Sequence, residues 1–139
     1  MAGKADFSDA EWLALRKGSV GAGLLVSVSD RDFTDSFGEA SALAKFLADH
    51  RLTGATQLVR DLAHEGTPFG VTTPPDRVRD ETMASIRSSM ALLAEKSPDD
   101  VEAYRQFVVD IANAVANAKS GTSQVEGTMI EQIREALGS

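Results

Sequence analysis

Apolar residues recur at steps of three and four through most of the chain, which is the spacing of one face of an α-helix. The spacing is most regular near the carboxyl end, at Val101, Tyr104, Val108, Ile111 and Val115. Additional apolar residues beside this stripe make it wider than a single seam. We therefore predict a central helix in this part of the chain, buried against several neighbours.

The first helix has a well-defined start signal. Ser8 and Glu11 have the Ser-x-x-Glu spacing of a capping box, in which each side chain bonds the other residue's backbone N–H. Phe7 precedes the cap and is placed to pack against Trp12 as a hydrophobic staple. Gly18 follows the last turn, and we predict that the helix ends there or that the chain bends into the next segment.

Residues 19–29 fit two patterns. Every second residue from Leu24 is apolar, as in a β-strand, but the segment also places an apolar stripe on one helical face. A strand needs a hydrogen-bonded neighbour, and the other β-like stretch is 69–73, which is short and closed by Pro74. We therefore predict a buried helix, in which Gly21 and Gly23 let another helix approach closely.

Caps and stops divide the rest of the chain into further helices. Thr53 is the predicted cap of a short helix, and the last helix begins with a second capping box that contains Glu126. In total we predict an all-α fold, a single-domain orthogonal or irregular bundle of about seven helices. The domain spans 1–139, with halves 1–66 and 73–139 joined by an irregular loop.

Composition and charge narrow the range of partners. The 139 residues are 42% apolar and 25% charged, with a formal net charge of -7. The densest basic cluster, Arg77 and Arg79, lies among acids, which is typical of a solvated helix face rather than of a nucleic-acid site. The sequence has no cysteine, no secretory leader and no apolar run that spans a bilayer, so we expect a cytoplasmic protein.

The strongest candidate for chemistry is an acidic segment before a predicted helix. Asp30, Asp32, Asp35 and Glu39 supply oxygen ligands of the kind that Ca²⁺ and Mg²⁺ prefer. Their spacing is not that of an EF-hand. Acids at the start of a helix also interact favourably with the helix dipole, which explains their presence without a bound metal. We favour the second interpretation and keep the first as an alternative.

The other candidate residues have simple structural explanations. His50 and His64 lack the spacing of a catalytic triad or of a His-x-x-x-His metal site, and we interpret them as polar residues at helix ends. The glycines of 18–23 are not followed by the Gly-Lys-Ser/Thr of a phosphate-binding loop. We predict no cofactor.

The order of the segments resembles a known family. A buried helix of small residues leads into the acidic segment and another helix, and a later helix ends in Ala-Val-Ala-Asn-Ala-Lys-Ser-Gly at 114–121 before a capped last helix. This arrangement resembles the TerB-like domains of tellurite-resistance proteins over roughly 20–47 and 108–137. The resemblance implies an all-helical fold and a role as an interaction module in stress-response assemblies.

The acids of that family are only partly present. Family members carry an Asp-Gly turn in each half with a glutamate a few residues on, and these acids are the proposed cation site. Here Asp30 is followed by Arg31, and the second turn reads Ser-Gly at 120–121 without aspartate. Asp30, Glu39 and Glu126 still correspond, so the resemblance implies the fold more than the metal site.

These observations support a non-enzymatic, helical protein-interaction module with an unidentified protein partner. The alternative function is divalent-cation binding by the segment from Asp30 to Glu39, with Glu126 contributed by the other half. An enzyme that uses a carboxylate pair is the third and least favoured hypothesis. The sequence leaves the oligomeric state open.

Overall fold

The computed structural model describes residues 3–29, 36–53, 56–64, 74–116 and 124–138. Six α-helices form this part of the chain: α1 (Asp9–Ser29), α2 (Ser36–Thr53), α3 (Gln57–Ala63), α4 (Pro75–Lys96), α5 (Val101–Ala116) and α6 (Gln124–Leu137). Short 3-10 helices lie at Lys4–Asp6 and Pro98–Asp100. The described ranges contain no β-strand, so the all-α prediction is confirmed.

The described ranges contain one α-helix fewer than the predicted number of about seven, because α1 continues through Gly18. A glycine at a helix end and a glycine at a close helix crossing look alike in sequence. Here a Cβ on Gly18 would overlap the Tyr104 hydroxyl and lie 3.3 Å from the Ile86 backbone of α4. The missing side chain therefore allows close packing, and the predicted buried helix over 19–29 is the second half of α1.

The start of α1 confirms the predicted capping box and staple. The backbone N–H of Ser8 donates to Glu11 Oε1 at 2.8 Å, and the backbone N–H of Glu11 donates to Ser8 Oγ at 3.2 Å. The rings of Phe7 and Trp12 lie 6.1 Å apart between centroids. Lys96 then donates to Glu11 at 2.8 Å and, with Ser8, holds the pKa of the Glu11 carboxyl below its ordinary value.

The predicted cap of the short helix is wrong. Thr53 is the last residue of α2, and α3 is capped instead by Thr56, whose Oγ1 accepts a hydrogen bond from the Val59 backbone N–H at 3.2 Å. Both threonines suit a cap by residue type. Thr56 takes the role because its backbone is extended, with φ -133° and ψ 165°, as a cap requires.

The core is one hydrophobic cluster to which all six described α-helices contribute. Both α1 and α5 contact each of the other five α-helices, so the predicted central position of α5 is shared with α1. The stripe of α5 is buried at Tyr104, Val108, Ile111 and Val115, as predicted. The most extensive packing joins α1 to α4.

An ion-pair network also joins α1 to α4. Lys17 Nζ lies 2.7 Å from Glu81 Oε1, and Arg77 Nε lies 2.7 Å from Glu81 Oε2. Hydrogen bonds from Lys17 and then Arg77 hold the pKa of Glu81 below its ordinary value. Glu81 therefore connects the two helices through Oε1 and bonds Arg77 of its own helix through Oε2.

Tyr104 is a fully buried core residue, as its position on the inward stripe predicts. Its hydroxyl donates to the Leu15 carbonyl at 2.9 Å, and Ser19 Oγ donates to the same oxygen at 2.8 Å. Burial raises the pKa of the Tyr104 phenol well above its ordinary value, against a smaller opposite effect of the neighbouring hydroxyls of Ser89 and Ser19. The phenol therefore stays protonated in the folded chain.

This burial predicts an alkaline limit to stability. Tyr104 is the only tyrosine, so phenolate absorbance reports this residue alone. Its raised pKa stabilises the fold fully below the unfolded value of 10, and that contribution falls as pH rises above 10. We expect the phenolate signal to appear together with the loss of helical circular dichroism, and Tyr104→Phe to flatten the pH dependence. A phenolate signal near pH 10 in a chain that is still helical would contradict the assignment.

Candidate functional site

The candidate cation ligands lie largely outside the described residues. Asp30, Asp32 and Asp35 belong to a range that the structure does not describe, and Glu39 and Glu126 are described only as backbone positions in α2 and α6. Among the side chains that are described, no group of three or more histidines and acids is placed to hold a metal ion. Cation binding by the predicted acids therefore stays a prediction.

Both histidines lie at helix ends, as predicted. His50 is in the last turn of α2, and His64 is the exposed C-cap of α3. His50 stacks on Phe46, with ring centroids 4.0 Å apart and ring planes inclined at 21°. Its Nδ1 lies 3.0 Å from the Phe46 carbonyl oxygen. Because a carbonyl only accepts, Nδ1 carries the proton, and in the neutral ring Nε2 keeps its lone pair.

His50 borders a small cleft between α2, α3 and α5, with Phe107 and Asp110 on the α5 side. Gln106, which also lines the cleft, donates to Asp110 Oδ1 at 2.7 Å along α5. The cleft encloses about 80 Å³. Small-molecule sites enclose roughly 300–1,000 Å³, so this cleft has room for ordered water rather than for a substrate.

A larger opening lies between α4 and α6, and we call it the α4–α6 groove. It encloses about 510 Å³. Two of its lining residues are apolar: Met83, which has only 8% of its surface exposed, and Ala136, which is half-buried. The complete lining is Arg79, Asp80, Met83, Arg87, Gln132, Glu135 and Ala136.

The charged side chains of the groove are exposed, and none of them forms an ion pair with another described side chain. No salt bridge or hydrogen bond joins Asp80, Arg87 or Glu135 to another described side chain, and Arg79 has only a long hydrogen bond of 3.4 Å to Gln132. Elsewhere on α4 the charged groups at 77 and 81 bond each other. The groove thus offers two cations and two anions, with no formal net charge, for contacts with another molecule.

The pattern of residues along the chain does not predict this groove. The cluster of Arg77 and Arg79 is predicted to be a solvated helix face, and both side chains are indeed exposed. The signal in the sequence that points to the groove is the two-turn separation of Asp80 and Arg87, which places opposite charges on one face of the predicted helix. The position of α6 beside that face comes only from the structure.

Comparisons with protein families, curated proteins and solved structures found no match. The resemblance to TerB-like domains therefore stays a prediction. None of the helices in the described ranges combines the length and the apolar content needed to cross a bilayer.

Proposed function

We propose that the chain is a cytoplasmic, non-enzymatic helical protein-interaction module that binds its partner at the α4–α6 groove. The observation that carries this proposal is the set of exposed charges of both signs, without ion pairs to described side chains, beside the apolar residues Met83 and Ala136. Protein interfaces have this organisation, with apolar contacts at the centre and polar groups at the rim. The resemblance to TerB-like domains extends the proposal to stress-response assemblies.

The energetics of the groove favour protein binding. A partner that bonds Arg87 or Glu135 does not have to break an ion pair within the described chain. Complementary charges then raise the association rate and select the partner, and Met83 and Ala136 supply apolar contact beneath them. Arginine stays protonated across the physiological range, so Arg79 and Arg87 are suited to bind carboxylates or carbonyl oxygens rather than to transfer protons.

The proposal is tested by capture from a lysate of the source cells with charge-reversed variants. Arg87→Glu reverses an exposed cation in the groove, and Lys45→Glu makes the same change at an exposed position on α2. We expect one or more proteins to bind the wild type and Lys45→Glu but to be lost with Arg87→Glu. Partners that bind all three chains equally would show that the groove is not the docking surface.

A further inference from the structure

We infer that the groove binds a second copy of this chain, with α4 antiparallel to the partner's α4 about a two-fold axis. This inference rests on the proposed function of the groove. Four residues of α4 follow the i, i+3, i+4, i+7 spacing and therefore lie on one face of the helix: Asp80, Met83, Ala84 and Arg87. That face has an anion at one end, a cation at the other and apolar residues between them.

The separation of the charges fits a two-fold pair. Asp80 and Arg87 are seven residues apart, which is about 10.5 Å along the helix at 1.5 Å per residue. When the axis passes between Met83 and Ala84, each residue faces the partner residue at the same distance on the other side of the axis. Asp80 then faces the partner's Arg87, and Arg87 faces the partner's Asp80, so that one contact occurs twice.

The centre of the pair is suited to helix packing. Ala84 is exposed and small, so the two α4 helices can approach to the 8–10 Å typical of packed helices. Met83 lies beside it as a flexible apolar side chain. The next positions outward place Arg79 opposite the partner's Ser88 and Asp76 opposite the partner's Ala91, so no two like charges oppose each other along this face.

The charge balance favours a copy over a partner of single charge. The whole chain carries a formal charge of -7, which makes two copies repel at long range. The groove itself has two cations and two anions. A surface whose opposite charges lie at equal distances on either side of a two-fold axis, as Asp80 and Arg87 do, complements itself, whereas a strongly acidic or strongly basic partner would oppose half of the charges.

A charge exchange tests this pairing, with sedimentation equilibrium as the readout. Arg87→Asp places two anions opposite each other at both symmetric contacts, and Asp80→Arg does the same with two cations. We expect each single variant to raise the dimer dissociation constant at least about 10-fold. The double variant Asp80→Arg with Arg87→Asp restores both pairs in reversed orientation, and we expect it to dimerise nearly as well as the wild type. Lys45→Glu is the matched control and leaves the dimer unchanged.

The outcomes separate the inference from the proposed function. Circular dichroism should show unchanged helix content in every variant, since Asp80 and Arg87 are exposed. A wild type that stays monomeric at the highest attainable concentration overturns the dimer, and so does a double variant that fails to recover. If lysate capture still depends on Arg87 in that case, the groove binds a different protein. If neither self-association nor capture depends on Arg87, the proposed function fails as well.

Discussion

Replacing Gly18 by alanine is expected to lower the free energy of unfolding by about 1–3 kcal/mol, the usual cost of an extra methyl group in a packed core. The new Cβ would overlap the Tyr104 hydroxyl and press on the Ile86 backbone at 3.3 Å. Gly127→Ala is the matched control, because a Cβ there has no neighbour within 4 Å. In α6 the control should gain about 0.5–1 kcal/mol from helix propensity. Urea unfolding followed by circular dichroism measures both changes.

A double variant identifies the contact responsible. Tyr104→Phe removes the oxygen that the new Cβ would meet, so Gly18→Ala should cost less in the Tyr104→Phe background than in the wild type. Contacting residues commonly show coupling of 0.5–3 kcal/mol in such cycles. Recovery stays incomplete because the Ile86 backbone does not move aside. Strictly additive effects, or a stabilising Gly18→Ala, would contradict the close crossing of α1 and α4.

Replacing Phe107 by alanine is expected to lower the free energy of unfolding by about 3–5 kcal/mol, as for other buried aromatic residues. Phe107 is 3% exposed, and its ring centroid lies 5.9 Å from those of both Phe46 and His50. The substitution removes the α5 side of this aromatic contact and leaves a cavity against α2.

The control for Phe107→Ala is Leu13→Ala. Leu13 has 39% of its surface exposed, so its truncation should change stability by less than about 0.5 kcal/mol. Both variants are measured by urea unfolding at equal protein concentration, because self-association would add to the apparent stability. A loss below 1 kcal/mol for Phe107→Ala would show that this part of the core is loosely packed.

The sequence predicted those parts of the fold that depend on local interactions. The capping box of Ser8 and Glu11 and the inward stripe of α5 involve residues within one or a few helical turns, and the structure confirms both. The prediction that Gly18 separates two helices is wrong because its role depends on Tyr104 and Ile86, which lie far along the chain. A local stop signal and a distant packing contact cannot be distinguished from the glycine alone.

The groove could not be predicted for a related reason. Periodicity shows which face of a helix is buried, but it does not show which helix lies beside it. Asp80 and Arg87 become a site only because α6 runs along α4, and Glu135 of α6 lies 48 residues after Arg87 in the sequence. The acids that the sequence emphasised, from Asp30 to Asp35, belong to a range outside the described residues.

The link between α1 and α4 has a consequence for recognition. The packing of α4 on α1 is held by the Gly18 crossing and by the ion pairs of Lys17 with Glu81 and of Glu11 with Lys96. The outer face of α4, which forms one side of the α4–α6 groove, is therefore already ordered. A molecule that binds there does not have to order the backbone that carries Asp80 and Arg87. Less conformational entropy is lost on association, so even a small contact area on this face of α4 can give measurable affinity.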